Sequence, residues 1–135
     1  MLFIFDNQCS PRLANGLNIL EQGNTLSPFQ CEVKHIREII PSNSDDIDVT
    51  KAVGDNDAIL ITYDRDFKEL KQFGELYKEH NVGVVFFRSY KKVLRYWDLV
   101  LSFVNHWEDL KRKISETKKP FVFEITLNGI SEKKL

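Results

Sequence analysis

The sequence predicts an α/β protein with a mainly parallel central sheet of about five strands. Segments typical of strands and helices alternate along its 135 residues, beginning with an apolar run at 2–5. Two more runs, at 58–62 and 82–87, contain almost no polar residue. Such runs are typical of parallel strands that are buried on both faces, and the helices between them would cover the sheet.

The first helix is predicted directly after the strand at 2–5. Ser10 is a good N-cap and Pro11 suits the first helical position, whereas Gly23 or Asn24 can end the helix. One face of this helix is expected to carry Leu13, Leu17 and Leu20.

The middle of the chain adds a strand and a short helix before the strand at 58–62. Apolar and polar residues alternate within 30–36, and this alternation predicts a strand. A proline and several capping residues then precede a short helix from about Asp46 to Val53. Asp46 is expected at its N-cap.

The second half continues with a helix over 66–81, the strand at 82–87 and the longest helix over 91–114. A last strand is expected at 120–127, followed by a polar tail. Near-3.6 spacing predicts that the apolar stripe of the longest helix consists of Val93, Trp97, Val100, Leu101, Val104, Trp107, Leu110 and Ile114. Packing in the core or in a homodimer explains its two tryptophans better than stacking on bases.

Length and composition restrict the class of protein. The length suits a single domain over residues 1–135. A formal net charge of -1 excludes a strongly basic nucleic-acid binder, so a nucleic-acid substrate would need local patches or a metal ion. Cys9 and Cys31 lack metal-ligand spacing and fit free thiols in a reducing cytosol. We expect a cytoplasmic protein with neither signal peptide nor membrane span.

Acidic residues follow two of the predicted strands. The first strand ends at Asp6, and the strand at 58–62 leads through Tyr63 to Asp64 and Asp66. If these strands are parallel neighbours, the carboxylates meet at one sheet edge, close to Asp48 in the first turn of the short helix. Clustered carboxylates need a cation, and hard oxygen ligands favour Mg²⁺ or Mn²⁺. This is the chemistry of a metal-dependent nuclease.

Three segments, "FDNQCSPRLANGL", "SDDIDVTKAV" and "ILITYDRDFKEL", carry a resemblance to a known family. In order and spacing they resemble the PIN-like family related to VapC toxins, in the subgroup named for a domain of unknown function (DUF5615). The likeness extends from residue 2 to about 88, and "FVFEITLNGI" is similar to the closing strand of that family. The resemblance implies a three-layer α/β/α fold. It also implies that the protein acts as the toxin of a prokaryotic type II toxin–antitoxin pair, with an antitoxin as its partner.

The resemblance also implies roles for individual residues. The metal ligands and catalytic acids would be Asp6, Asp48, Asp64 and Asp66, with Asn7 and Thr62 as donors that orient them. The middle segment departs from the family pattern, because Asp45, Asp46 and Asp48 crowd together and any of them could be the middle ligand. Asp48 is preferred because it needs no gap relative to the pattern.

Each of these residues also has a structural explanation. Asp6 could cap a turn, Asp66 is a natural N-cap with Glu69 as capping-box partner, and Asp48 would gain from the helix dipole. Arginines near the expected edge could contact phosphates or pair with the acids, and they are Arg12, Arg65 and Arg88. The basic run 111–113 would be a solvated face or would follow an RNA backbone.

Three functions are weighed on these grounds. The preferred one is a Mg²⁺- or Mn²⁺-dependent endoribonuclease in which a metal-bound water attacks the RNA phosphodiester. The main alternative is a non-catalytic PIN-like domain that only binds a protein partner. A receiver-like phosphoacceptor fits less well, because Asn7 and Gln8 follow Asp6 where that fold would need a second acid.

Overall fold

The computed structural model describes residues 1–63, 67–87 and 95–135, with only the backbone for 67–70. The predictions for Asp64, Arg65, Asp66, Arg88 and Val93 therefore lie outside the described residues. The elements follow the predicted alternation. In chain order they are β1 (Leu2–Phe5), α1 (Pro11–Gln22), β2 (Glu32–His35), a 3₁₀ turn (Ile36–Glu38), α2 (Asp46–Asp55), β3 (Ile59–Tyr63), α3 (Phe67–Glu79), β4 (Gly83–Phe87), α4 (Tyr96–Ser115), β5 (Phe121–Thr126) and β6 (Gly129–Lys133).

The described strands form one sheet in the order β2-β1-β3-β4-β5-β6. β1 pairs in parallel with both β2 and β3, and β3, β4 and β5 continue the parallel pairing. From β1 the chain moves outward through α1 to β2, and it then returns across β1 through α2 to β3. The direction of winding thus reverses between β1 and β3, whose carboxyl ends form the switch point of the sheet.

Two apolar layers hold the helices on opposite faces of the sheet. One layer joins side chains of α1 and α4 to the odd-numbered residues of β1 and β3, such as Phe5 and Ile61. The other joins α2 and α3 to the even-numbered residues, such as Ile4 and Leu60. Alternation along a strand explains the division, because neighbouring residues point to opposite faces. The three-layer α/β/α prediction is therefore confirmed.

The C-terminal segment, which was predicted to be a polar tail, adds a sixth strand to the sheet. β6 pairs antiparallel with β5 through a tight turn, with Thr126 opposite Gly129. Gly129 has a φ of 156°, which a residue with a side chain rarely adopts. β6 lies at the sheet edge and none of its residues is buried. Only backbone hydrogen bonds to β5 form this strand. Its side chains show no alternation of apolar and polar residues from which a strand could have been predicted.

The apolar stripe predicted for α4 is only half right. Trp107, Leu110 and Ile114 are buried as expected, whereas Trp97 is 70% exposed. Leu101 and Val104 are also exposed, at 53% and 51%. Buried positions that the stripe omitted are Leu99, Ser102, Phe103 and Lys111. The helix has two apolar faces, and only contact with the sheet selects one of them.

The basic run 111–113 is not uniformly solvated, because Lys111 is fully buried between α1 and α4. Its Nζ donates to Oε1 of Glu21 at 2.8 Å and to the carbonyl oxygen of Phe29 at 2.9 Å, and it lies 2.6 Å from Oε1 of Glu108. Trp107 Nε1 also donates to Glu21 Oε1, at 2.6 Å. This network joins the two helices on one face of the sheet.

Candidate functional site

Asp6 extends β1 at the switch point. Its backbone N–H donates to the carbonyl oxygen of Ile61 at 2.9 Å, which continues the pairing of β1 with β3. The side chain points to the face that α2 and α3 cover, and the residue is only 7% exposed. A carboxylate is thus held beneath the surface at the position where open parallel sheets bind ligands.

Two donors orient the Asp6 carboxylate. Thr62 Oγ1 donates to Oδ2 at 2.9 Å, and the backbone N–H of Asn7 donates to Oδ1 at 2.7 Å. The two residues named as orienting donors therefore both contact Asp6, Thr62 through its side chain and Asn7 through its main chain. Each carboxylate oxygen keeps a further lone pair, so both can still bind a cation.

A small cleft opens beside Asp6 between the sheet and α2. Its volume is about 40 Å³, enough for an ion with one or two waters but too small for a nucleotide base. Its polar lining is Asp6, Gln8, Asp46, Thr50 and Thr62. Its apolar lining is Val49, Leu60, Phe73, Tyr77 and Phe86.

The structure brings Asp46, and not the preferred Asp48, to this cleft. Asp46 precedes the buried Val49 and Thr50 by one helical turn, so the three residues share a face of α2. Asp48 follows Asp46 by two residues, about 200° around the helix, and it does not line the cleft, although both side chains are exposed. The placement therefore favours Asp46 among the acids that the sequence left open.

The N-cap of α2 is also corrected, from Asp46 to Asp45. The Asp45 side chain accepts a hydrogen bond from the Asp48 N–H at 2.8 Å. Because Asp45 satisfies the free N–H of the first turn, Asp46 is not needed for capping. Asp46 lies on the side of α2 that carries Val49 and Val53, and this position at the rim of the cleft, not burial, sets it apart from Asp48.

Cys9 holds the loop that follows Asp6 against the end of β3. Cys9 N–H donates to the Asp6 carbonyl oxygen at 2.9 Å, and Cys9 Sγ donates to the Ile61 carbonyl oxygen at 3.6 Å. Burial, and then the negative charge of Asp6, raise the pKa of the Cys9 thiol from 9.0 to about 12. Cys9 is therefore a protonated packing residue and not a nucleophile.

His35, at the end of β2, supports the same loop. Its Nδ1 accepts the Arg37 N–H at 3.2 Å, so its Nε2 carries the proton and donates to the Cys9 carbonyl oxygen at 2.9 Å. The ring is 3% exposed. It is thus a core residue with a structural role, and it links the loop after β1 to the neighbouring strand.

Arg12 does not reach the cleft in this structure. It is exposed in the first turn of α1, and α1 packs on the opposite face of the sheet from α2. Gln8, which the sequence analysis did not assign, lines the cleft two residues after Asp6. The sequence analysis also missed the aromatic lining of the cleft, because it placed Phe73 and Tyr77 in a predicted helix without assigning them to a site.

The donors present are consistent with a hard divalent cation. Two carboxylates and several neutral oxygens face the cleft, and such ligands suit Mg²⁺ or Mn²⁺. Within residues 1–63, 71–87 and 95–135, no group of three or more acidic, histidine or cysteine side chains could hold a metal ion. Any third carboxylate at the cleft would have to come from the remaining acids, and Asp64 follows Thr62 by two residues in the sequence.

Fold and cleft together define an open α/β domain with a carboxylate site at the switch point of a parallel sheet. A family model described as a PIN like domain matches residues 1–89, a stretch that includes Asp6, Asp46 and Thr62. The chain belongs to this family of PIN-like domains, which are often nucleases. No curated protein and no solved structure matches the chain. Among the described residues, no helix has the length and apolar character needed to span a membrane.

Proposed function

We propose that this protein is a metal-dependent endoribonuclease whose carboxylate site holds Mg²⁺ or Mn²⁺. The observation that carries the proposal is the buried, doubly hydrogen-bonded Asp6 carboxylate, which shares a small cleft with Asp46. The membership in a family that often cleaves nucleic acid supports the same chemistry. Asp6 and Asp46 would be ligands, joined by Asp64 and Asp66 from the segment after β3.

The chain's own groups would do three things in this reaction. Thr62 and the Asn7 N–H keep the Asp6 oxygens turned into the cleft, and Asp46 supplies negative charge from α2. The small cleft admits an ion and water while the RNA backbone stays at its mouth. A bound divalent ion would supply Lewis-acid polarisation of the phosphate and lower the pKa of a bound water.

Arg65 and Arg88 would contact phosphates of the RNA, since they follow β3 and β4 closely in the sequence. Arg12 remains a weaker candidate because α1 lies on the other face of the sheet. The toxin setting with a cognate antitoxin rests on the resemblance of the three sequence segments to VapC-related PIN-like proteins. We propose it as the biological setting of the ribonuclease.

Purified protein with Mn²⁺ or Mg²⁺ and single-stranded RNA tests the proposal. Asp6→Asn and Asp46→Asn should each lower the cleavage rate by roughly 100-fold or more, because each removes a charged ligand. Asp55→Asn makes the same change at the exposed C-terminal end of α2 and is the matched control. Asp64→Asn extends the test to the acids after β3.

Asp48→Asn separates the two assignments of the middle acid. Cleavage should persist in this variant, since Asp48 lies outside the cleft lining. Loss of cleavage in Asp48→Asn with retention in Asp46→Asn would restore the assignment first made from the sequence. If wild-type protein cleaves no RNA with either metal and binds neither ion, the domain is the non-catalytic partner-binding alternative.

A further inference from the structure

The N-terminal end of α4 presents two exposed aromatic rings. Tyr96 is 47% exposed and Trp97 is 70% exposed, and both belong to the first turn of the helix. Their rings contact each other edge-on, with 5.6 Å between the centroids. Arg95, directly before them, is exposed and makes no ion pair with any residue in the described ranges. We call Arg95, Tyr96 and Trp97 the α4 platform.

The platform lies at the edge of the sheet that the carboxyl ends of the strands form. Phe103 packs against Phe5 at the end of β1, with 5.6 Å between the centroids, and against Phe87 at the end of β4, with 5.4 Å. Tyr96 precedes Phe103 by seven residues, so it lies on the same side of the helix about 10 Å nearer to this edge. Asp6 directly follows Phe5 at the same edge but turns towards the other face of the sheet.

The sequence that leads into the platform is strongly basic. Residues 88–97 read RSYKKVLRYW, with four basic residues, three aromatic residues and no acid before Asp98. The whole chain has 19 basic and 20 acidic residues, so this excess of positive charge is local. Basic residues interspersed with aromatic ones are typical of surfaces that hold single-stranded nucleic acid, because cations attract the phosphates while bases stack on the rings.

We propose that the α4 platform binds the bases of single-stranded RNA, with an unpaired base stacked on Trp97 and a neighbouring phosphate held by Arg95. The edge-on contact with Tyr96 blocks at most one face of the Trp97 ring, so a face remains for the base. The cleft beside Asp6 is too small for a base, and a bound RNA therefore needs a base site outside it. This inference rests on the proposed function, since it deepens the choice of RNA as substrate.

The two tryptophans of the chain differ in a way that allows a direct test. Trp107 is 7% exposed and donates its Nε1–H to Glu21, as the packing expected from the sequence requires, whereas Trp97 is left open to solvent. Quenching of tryptophan fluorescence by RNA would therefore report on Trp97. A short single-stranded adenylate RNA in EDTA should quench the wild type, and Trp97→Phe should abolish the quenching.

Fluorescence anisotropy of the same RNA, carrying a dye, measures affinity without relying on tryptophan. Trp97→Ala should raise the dissociation constant roughly tenfold, because a stacked base loses its ring. Trp97→Phe keeps an aromatic face and should retain most of the affinity. Leu101→Ala shortens another exposed apolar side chain one turn further along α4, and as the matched control it should leave the dissociation constant unchanged.

The salt dependence of binding tests the contact of Arg95 with a phosphate. Arg95→Gln should weaken binding and lower the slope of log affinity against log salt concentration by roughly 0.7, the value for one phosphate contact on a single strand. Arg112→Gln removes an arginine near the opposite end of the same helix, so it should leave the slope unchanged.

Binding and cleavage separate this inference from the ribonuclease. With Mn²⁺, Trp97→Ala should raise the KM for RNA and leave kcat almost unchanged. Quenching at Trp97 by RNA that is never cleaved would refute the ribonuclease alone. A wild type that binds no RNA, quenching that persists in Trp97→Phe, or equal weakening by Leu101→Ala would overturn the platform. Trp97 emission that changes with protein concentration but not with RNA would also overturn it, because a second copy of the chain would then cover the ring.

Discussion

At the scale of single residues, two buried charges are stabilised in different ways. Lys111 is surrounded by acceptors, two of them carboxylates. Asp6 accepts bonds only from an O–H and an N–H, and it makes no ion pair within the described part of the chain. A buried carboxylate without a cation is costly. Lys111 therefore has a structural role, because its charge is already balanced by carboxylates. The Asp6 carboxylate is one that a bound cation can neutralise.

Thr62→Val tests how Asp6 is oriented. The substitution keeps the shape of the side chain but removes the O–H that holds Asp6 Oδ2, so metal affinity and RNA cleavage should fall by roughly 10–100-fold. Titration of Mn²⁺ and the cleavage rate are the measurements. Thr62→Ser keeps the hydroxyl and should retain most of both. Equal losses in the two variants would mean that packing, not the hydrogen bond, is responsible.

The Lys111 network makes a prediction about stability. Burial alone would lower the pKa of Lys111 and raise that of Glu21. The hydrogen bonds between them, with those from Glu108 and Trp107, reverse both effects, so that Lys111 is held above and Glu21 below its ordinary pKa. Lys111→Met leaves the Glu21 carboxylate buried without its cation and should cost about 3–5 kcal/mol of unfolding free energy in urea.

The double variant Glu21→Gln/Lys111→Met is the control for that experiment. It removes both charges and should lose clearly less stability than Lys111→Met alone, because no unpaired charge stays buried. A double variant that is as unstable as the sum of its two single changes would show that the pair does not interact as the structure indicates.

At the scale of elements, two glycines have opposite roles. Gly83 begins β4, where an added Cβ would lie 2.3 Å from the Phe121 ring of β5. Gly16 is in the middle of α1, where an added Cβ meets nothing within 4 Å. The first glycine permits close contact between two strands, while the second only weakens a helix.

Gly83→Ala and Gly16→Ala therefore form a matched pair. Gly83→Ala should lower the unfolding free energy by about 1–3 kcal/mol, because the Phe121 ring must move within the core. Gly16→Ala should raise it by up to about 1 kcal/mol through helix propensity and reduced freedom of the unfolded chain. Thermal or urea unfolding measures both. A neutral Gly83→Ala would contradict the tight β4–β5 contact.

At the scale of the whole molecule, two cysteines and a tyrosine of the described residues contribute, together with Lys111, to the loss of stability at alkaline pH. Burial first, and then nearby negative charge, raise the pKa values of Cys9 and Cys31 from 9.0, and that of Tyr63 from 10.0, to about 12 each. The folded chain thus keeps protons that the unfolded chain releases. Their stabilising effect is complete below about pH 9 and is lost as the pH rises towards about 12.

The urea midpoint should accordingly decline steadily from about pH 9 upwards. Cys9→Ala removes the more buried of the two cysteines, so its midpoint should depend less on pH in that range, whatever its stability at neutral pH. Circular dichroism in urea at successive pH values measures both profiles. Parallel wild-type and variant profiles would exclude Cys9 as a source of the decline.

Local patterns in the sequence were enough for the order of elements, the parallel sheet and the position of Asp6. Strands that are buried on both faces form continuous apolar runs, and the acidic residues that follow them can be recognised in the sequence. The same patterns indicated the α2 helix, but they did not distinguish Asp46 from Asp48. That choice depends on which side of α2 meets the sheet.

Only the tertiary structure decided the remaining features. It placed Asp46 at the cleft, buried Lys111 against Glu21, exposed Trp97 and added β6 to the edge of the sheet. Each of these depends on contacts between segments far apart in the chain. Periodicity reports how a helix or strand repeats along its own axis, whereas the rotation and the partners of that element are selected by what packs against it.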